Sequence, residues 1–253
     1  MKRVNLKIAG VLLAAVFVMS ACGRRQYAVK NVEAVRVEMD GAWEPLAATP
    51  MRALVDSLRA ETAGEISAVI GTAERTLTKG KPQSLLGNFV ADAVFDYAAG
   101  LWGAVDFAVV NLGGIRSSLH RGEITVGNMY EVFPFDNRIV LIELPGRAVE
   151  EFFAVVAEKE GEGLSKNIAF VIKDKSVRSL KIGGQPVDGN KNYRIATINY
   201  LAEGNDGMEV FTKAVKVMDS GVFVRDALIE HVKRLTAGNN AVDAGLDDRV
   251  VVL

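Results

Sequence analysis

Four stripes of apolar residues at helical spacing alternate with apolar runs only as long as a strand, and this alternation constrains the fold more than any other feature. The stripes are Met51, Leu54, Val55 and Leu58; then Leu86, Phe89, Val90, Ala93, Val94 and Tyr97; then Val149, Phe152, Phe153 and Val156; and last Val224, Leu228, Val232 and Leu235. Thr49-Pro50 puts a capping hydroxyl before a first-turn proline, and Ser84 stands in the same relation to the second stripe. The strand-length runs are Phe107–Val110, Ile139–Ile142, Phe170–Ile172, Tyr193–Ile198 and Val250–Leu253. Gly183-Gly184 separates Leu180-Lys181-Ile182 from Gln185-Pro186-Val187, a tight hairpin signal. An antiparallel hairpin among alternating helices and strands predicts an α+β (mixed α/β) fold, a mixed sheet with flanking helices. No repeat, low-complexity block or Pro-rich linker interrupts it, so residues 49–253 are expected to form a single compact domain.

The N-terminus carries a different signal. Lys2, Arg3 and Lys7 precede the apolar stretch Ile8–Met19, and Ser20, Ala21 and Cys22 follow. That stretch is short of the roughly 20 apolar residues a spanning helix needs. The charged start, apolar middle and small-residue end are those of a removable secretory signal over residues 1–21. Cys22, the only cysteine, sits where a bacterial lipobox has its lipidated residue. The expectation is a lipid on Cys22, a tether and N-terminal strand region over 22–48, and an extracytoplasmic domain held to a bacterial membrane. An ordinary signal peptide followed by a chance cysteine is the alternative.

Charge and histidine content narrow the chemistry. Lys plus Arg is 30 against 31 Asp plus Glu, a net charge of -1 that argues against a polymeric nucleic acid partner. His120 and His231 are the only imidazoles, too few for a multi-histidine metal centre. His231, beside Lys233 and Arg234, reads as part of a solvated helix face, and His120 follows Ser117-Ser118 in a loop. Walker, dinucleotide GxGxxG, HExxH, EF-hand and nucleophile-elbow patterns are all missing from the sequence.

What remains is a set of segments after strands or before helices, where ligand-binding residues tend to sit. They are Leu85–Ala93, Asn111-Leu112-Gly113-Gly114-Ile115-Arg116, Val132-Phe133-Pro134-Phe135-Asp136-Asn137, and Asn199–Gly207. Gly113-Gly114 would allow a close approach of backbone to ligand. Arg116 could grip phosphate oxygens in a fork that lysine cannot copy, or pair with a surface acid. Phe135, between a proline and Asp136-Asn137, would be exposed by a turn, whereas Phe133 suits the core. Asp206, between Asn205 and Gly207, could equally be a turn residue bonding its own backbone.

In order and residue type these segments, with Gly122-Glu123-Ile124-Thr125 and Tyr130-Glu131-Val132 between them, resemble the C-terminal domain of the 5'-nucleotidase family over roughly residues 65 to 253. The resemblance implies a substrate-binding domain for a nucleoside or nucleotide. Asn111 and Arg116 would be the polar and phosphate-facing residues, with Gly113 and Gly114 between them close to the substrate; Phe135 and Tyr200 would stack on the base, and Asp206 would hydrogen-bond the ribose hydroxyls. A complete member also carries a two-metal phosphoesterase domain. The stretch between Cys22 and Leu85 holds no histidine, so this chain is expected to bring no cofactor and no catalytic residue. Divalent metals are expected on a separately encoded metallophosphoesterase partner. Near Gly87, where the family often has an arginine or glutamate at the phosphate end, this chain has Lys79, Lys81 and Gln83, which implies a weaker phosphate grip. Two other readings stand beside the split enzyme: a solitary nucleoside-scavenging lipoprotein, and a scaffold that has lost its ligand.

Overall fold

The computed structural model describes Ala34, Arg36 and residues 49–253. The expected signal sequence and Cys22 lie outside the described residues, as does the tether apart from those two positions. The chain divides into two units, Met1–Ala53 and Leu54–Leu253, and of the first little beyond the opening turn of a helix is described.

Helix α1 (Thr49–Ile66) starts where the threonine-proline pair predicts. From Pro50 to its end every side chain is exposed, so the Met51, Leu54, Val55 and Leu58 stripe is an uncovered apolar face. Helix α2 (Leu85–Trp102) starts at Ser84, whose hydroxyl accepts from the Gly87 N–H, and buries Leu86, Phe89, Val90, Ala93 and Val94. Helix α3 (Val126–Val132) opens on a capping box between Thr125 and Asn128. Helix α4 (Gly146–Glu158) buries Val149, Phe152, Phe153 and Val156, and the short α5 (Asn199–Ala202) follows a strand directly. Helix α6 (Val224–Ala237) buries Val224, Leu228 and Val232.

The strands fall into three sheets. The central one is mixed and has five strands: β2 (Phe107–Val110), β4 (Arg138–Pro145), β5 (Gly163–Leu164), β9 (Asn192–Ile198) and β10 (Lys216–Phe223), in the order β10-β4-β9-β2-β5. β2 and β9 run parallel, and the other pairs are antiparallel. β2 is buried at every residue and β4 at most of them, the pattern of a sheet covered on both faces. Helix α2 packs against β2 and β5, and α4 against β4 and β9. Under α4, Phe107, Phe152, Phe153, Phe170 and Phe211 form a chain of aromatic contacts with centroids 4.9 to 6.0 Å apart.

A second sheet joins β6 (Ile168–Lys173), β7 (Ser176–Ile182), β8 (Gln185–Pro186) and β11 (Val250–Val252) in the order β11-β6-β7-β8. Gly183 and Gly184 turn it at φ 57° and 79°, the left-handed pair that the hairpin signal requires. The third pairs β1 (Val69–Ala73) with β3 (Gly122–Thr125). The fold class is α+β, with mixed sheets and flanking helices.

Candidate functional site

Parallel strands end on the same side of a sheet, and an antiparallel neighbour begins there. β2 and β9 therefore open at one edge, and β4 enters at that edge because Ile139 pairs with Ile198. Three loops meet as a result: the glycine-rich segment after β2, the segment leading into β4, and the turn after β9. Open sheets tend to bind ligands at such carboxyl ends.

A cavity of about 320 Å³ lies at this edge, lined by Asn111, Gly113, Gly114, Arg116, Phe135, Asn137, Tyr200 and Asp206. Its size suits a small ligand. All seven residues that the sequence nominates for ligand contact line it, although Phe135 and Tyr200 stand 65 positions apart in the chain. Asn137 is the addition; it belongs to a segment the sequence marks, but nothing distinguishes it there from a turn asparagine.

The glycine segment leaves β2 as a single turn over Leu112–Gly114, closed by the Gly114 N–H donating to the Asn111 carbonyl at 3.1 Å. Neither Gly113 nor Gly114 has a positive φ. The need for glycine is steric and falls on Gly114, where a Cβ would lie 2.9 Å from Asn111 Oδ1. At Gly113 the same atom would make only ordinary contacts with Asn111 and Asp206.

Asn111 is buried, and its Nδ2 donates to Asp206 Oδ2 at 2.9 Å. Asp206 has φ 57° in the turn after α5, and its carboxylate faces Asn111 rather than its own backbone. Glu162, 4% exposed, accepts from the Leu112 N–H at 2.8 Å and pairs with Lys159 at 2.6 Å. Lys159 donates in turn to the Asp206 carbonyl at 3.0 Å. One buried carboxylate thus ties the glycine segment to the acid of the site. Lys159 and Glu162 follow α4 in a stretch that carries no motif, so sequence reasoning misses them.

Arg116 is exposed and makes no ion pair among the described residues; its Nη1 donates to the Gly113 carbonyl at 3.3 Å. Its guanidinium carbon lies 6.0 Å from the Phe135 ring centroid. Phe135 is 47% exposed and Tyr200 40%, while Phe133 is buried. Exposed rings on a polar cavity wall offer π-faces to a flat ligand.

The cations near Gly87 have other work. Lys79 donates to the carbonyls of Leu112 and Ile115, Lys81 to that of Lys159, and Gln83 accepts from Asn88. None lines the cavity, and among the described residues Arg116 is the one cationic side chain that does. His231 departs from the solvated face expected of it: it is half-buried, edge-on to Phe89 at 5.6 Å, with Nδ1 2.8 Å from Arg234 Nη2. Burial first, and the Arg234 charge second, hold its pKa below the ordinary histidine value. His120 is exposed.

The chain belongs to the family described as 5'-nucleotidase, C-terminal domain, which matches residues 63–213, a span that includes every residue lining the cavity. It is 35% identical over 133 residues to the UshA protein of Yersinia enterocolitica, covering 51% of this chain and 24% of that one. With UshA of Escherichia coli it shares 31% over 156 residues, covering 60% and 28%. The chain therefore spans about a quarter of the length of these curated relatives. Among solved structures it is similar to a 5'-nucleotidase precursor from Thermus thermophilus, with TM-score 0.70 and 25% identity, covering 80% of this chain and 43% of that one.

Proposed function

We propose that this chain is the nucleotide-holding part of a 5'-nucleotidase-type phosphohydrolase and acts with a metallophosphoesterase carried on a separate chain. The observation that carries the reading is the pairing of two exposed rings, Phe135 and Tyr200, with Asn111, Arg116 and Asp206 around one cavity. In it the rings stack on the base. The Asp206 carboxylate accepts from ribose hydroxyls, and Asn111 orients that carboxylate. Arg116, with both edges of its fork uncommitted to any acid among the described residues, takes phosphate oxygens. Divalent metals and the attacking hydroxide belong to the partner, so this chain contributes substrate binding and orientation.

In this reading a lipid on Cys22 holds the protein at the outer side of a bacterial membrane, where nucleotides are broken down before uptake. Replacing Cys22 by Ser should move the protein from the membrane fraction to the soluble one. The purified protein alone should release no phosphate from AMP with divalent metal present, and adding the partner phosphoesterase should restore release. Binding of adenosine or AMP without any phosphate release in the presence of secreted phosphoesterases would favour the scavenging reading. Failure to bind either would favour a scaffold that has lost its ligand.

A further inference from the structure

The Phe135 ring projects from a segment with little local structure, yet one distant residue grips that segment on both sides. Arg225, the second residue of α6, lies beyond the span matched by the family and is only 6% exposed. Its Nη1 donates to the Phe133 carbonyl at 3.2 Å and its Nη2 to Asp136 Oδ1 at 3.0 Å, so the guanidinium brackets Pro134-Phe135. The plane of the fork is packed as well, its carbon 4.1 Å from the Tyr130 centroid and 5.7 Å from that of Phe223. Beside it, the Val224 N–H donates to the Asn137 carbonyl at 2.9 Å. Among the described residues Arg225 Nε is buried with no hydrogen-bond partner, an unfavourable arrangement for stability alone.

We propose that Arg225 is a positioning residue that presets the Phe135 ring for stacking. This rests on the nucleotide-binding reading of the cavity. A ring held in its bound position before the ligand arrives loses less freedom on binding, and the gain appears as affinity. Only arginine suits the place, because lysine cannot reach a carbonyl and a carboxylate on either side of a ring-bearing residue with one planar group. Arg225 need not touch the ligand; it acts through the backbone of residues 133–137.

The test uses the whole chain and adenosine as probe in calorimetry, with hydrogen exchange measured on the ligand-free protein. Arg225→Gln should weaken adenosine binding about tenfold. Arg225→Lys and the gentler Asp136→Asn, which changes an exposed side chain, should weaken it less. In a Phe135→Leu background each of these losses should vanish, an outcome that general destabilisation would not produce. Exchange should accelerate at residues 133–137 and at the Val224 amide and nowhere else. Equal losses with and without Phe135, or unchanged exchange in Arg225→Gln, would overturn the proposal. If the unaltered protein binds no adenosine, the nucleotide reading fails on its own, and the exchange result still decides whether Arg225 orders the segment.

Discussion

At the scale of single residues, Arg116 offers the sharpest test of the proposed phosphate grip. Lys79, Lys81 and Lys159 are committed to carbonyls or a carboxylate, while among the described residues Arg116 holds a long bond to the Gly113 carbonyl, faces the Phe135 ring and pairs with no acid. If it grips phosphate through a fork, Arg116→Lys should weaken AMP roughly tenfold, the scale of a lost charge-assisted hydrogen bond, and leave adenosine unchanged. Paired calorimetric titrations with the two ligands check this, and an equal loss for both would remove the phosphate role. His231 gives a second residue-scale prediction. Its folded pKa is depressed, so below the unfolded value near 6.5 the unfolded state binds more protons than the folded one. Stability from this residue is present above that value and is lost as pH falls through the folded pKa. Lys166 and Arg234 add to the depression, and Asp92 and Asp96 oppose it. Urea midpoints of the unaltered protein should fall more than those of His231→Gln between about pH 7 and about pH 5.

At the scale of elements, sequence legibility followed burial. β2, β4 and β9 are visible as apolar runs because the core covers most of their residues, β6 and β11 are visible as apolar runs though only part of each is buried, and the Ser84 cap marks α2 at its first residue. β10 and the first half of β7 are exposed and interleaved with polar residues, and β3 is Gly122-Glu123-Ile124-Thr125, so no period-2 signal marks any of them. β10 is an edge strand, and its lysine and aspartate suit that place. The apolar stripe of α1 correctly predicts a helix, and its exposure shows that periodicity reports amphipathicity and not what covers the face. The site itself was readable because its residues fall in marked turns, but the supporting Lys159, Glu162 and Arg225 were not. Their roles depend on tertiary proximity across 47 to 92 positions. The entry to β11 has a similar hidden support. Buried Arg249 donates to Asp92 at 2.9 and 3.0 Å, to Asp247 at 2.8 Å and to the Leu164 carbonyl at 2.8 Å, tying the C-terminal strand to α2 and β5. Arg249→Ala would leave Asp92 and Asp247 without their shared partner, but both carboxylates keep solvent access, so the expected cost in chemical denaturation is about 1 to 3 kcal/mol, with adenosine affinity unchanged in the folded fraction.

For the whole molecule, the question is which share of its relatives this chain represents. It aligns with about a quarter of each UshA relative and with 43% of the Thermus thermophilus chain, and the matched family is that of the C-terminal domain. The mixed central sheet explains how so short a region can carry a complete candidate cavity: one edge gathers three loops, and residues of α6 and of the α4 end hold them by hydrogen bonds. A domain organised this way can bind and orient a nucleotide without performing chemistry on it, which is the role proposed. The most direct measurement is calorimetry of adenosine against the purified chain and its Phe135→Ala, Tyr200→Ala and doubly substituted forms. Base stacking predicts binding by the unaltered protein, a loss of roughly five- to a hundredfold for each ring, and no detectable binding without both. Affinity that survives removal of both rings would contradict the account.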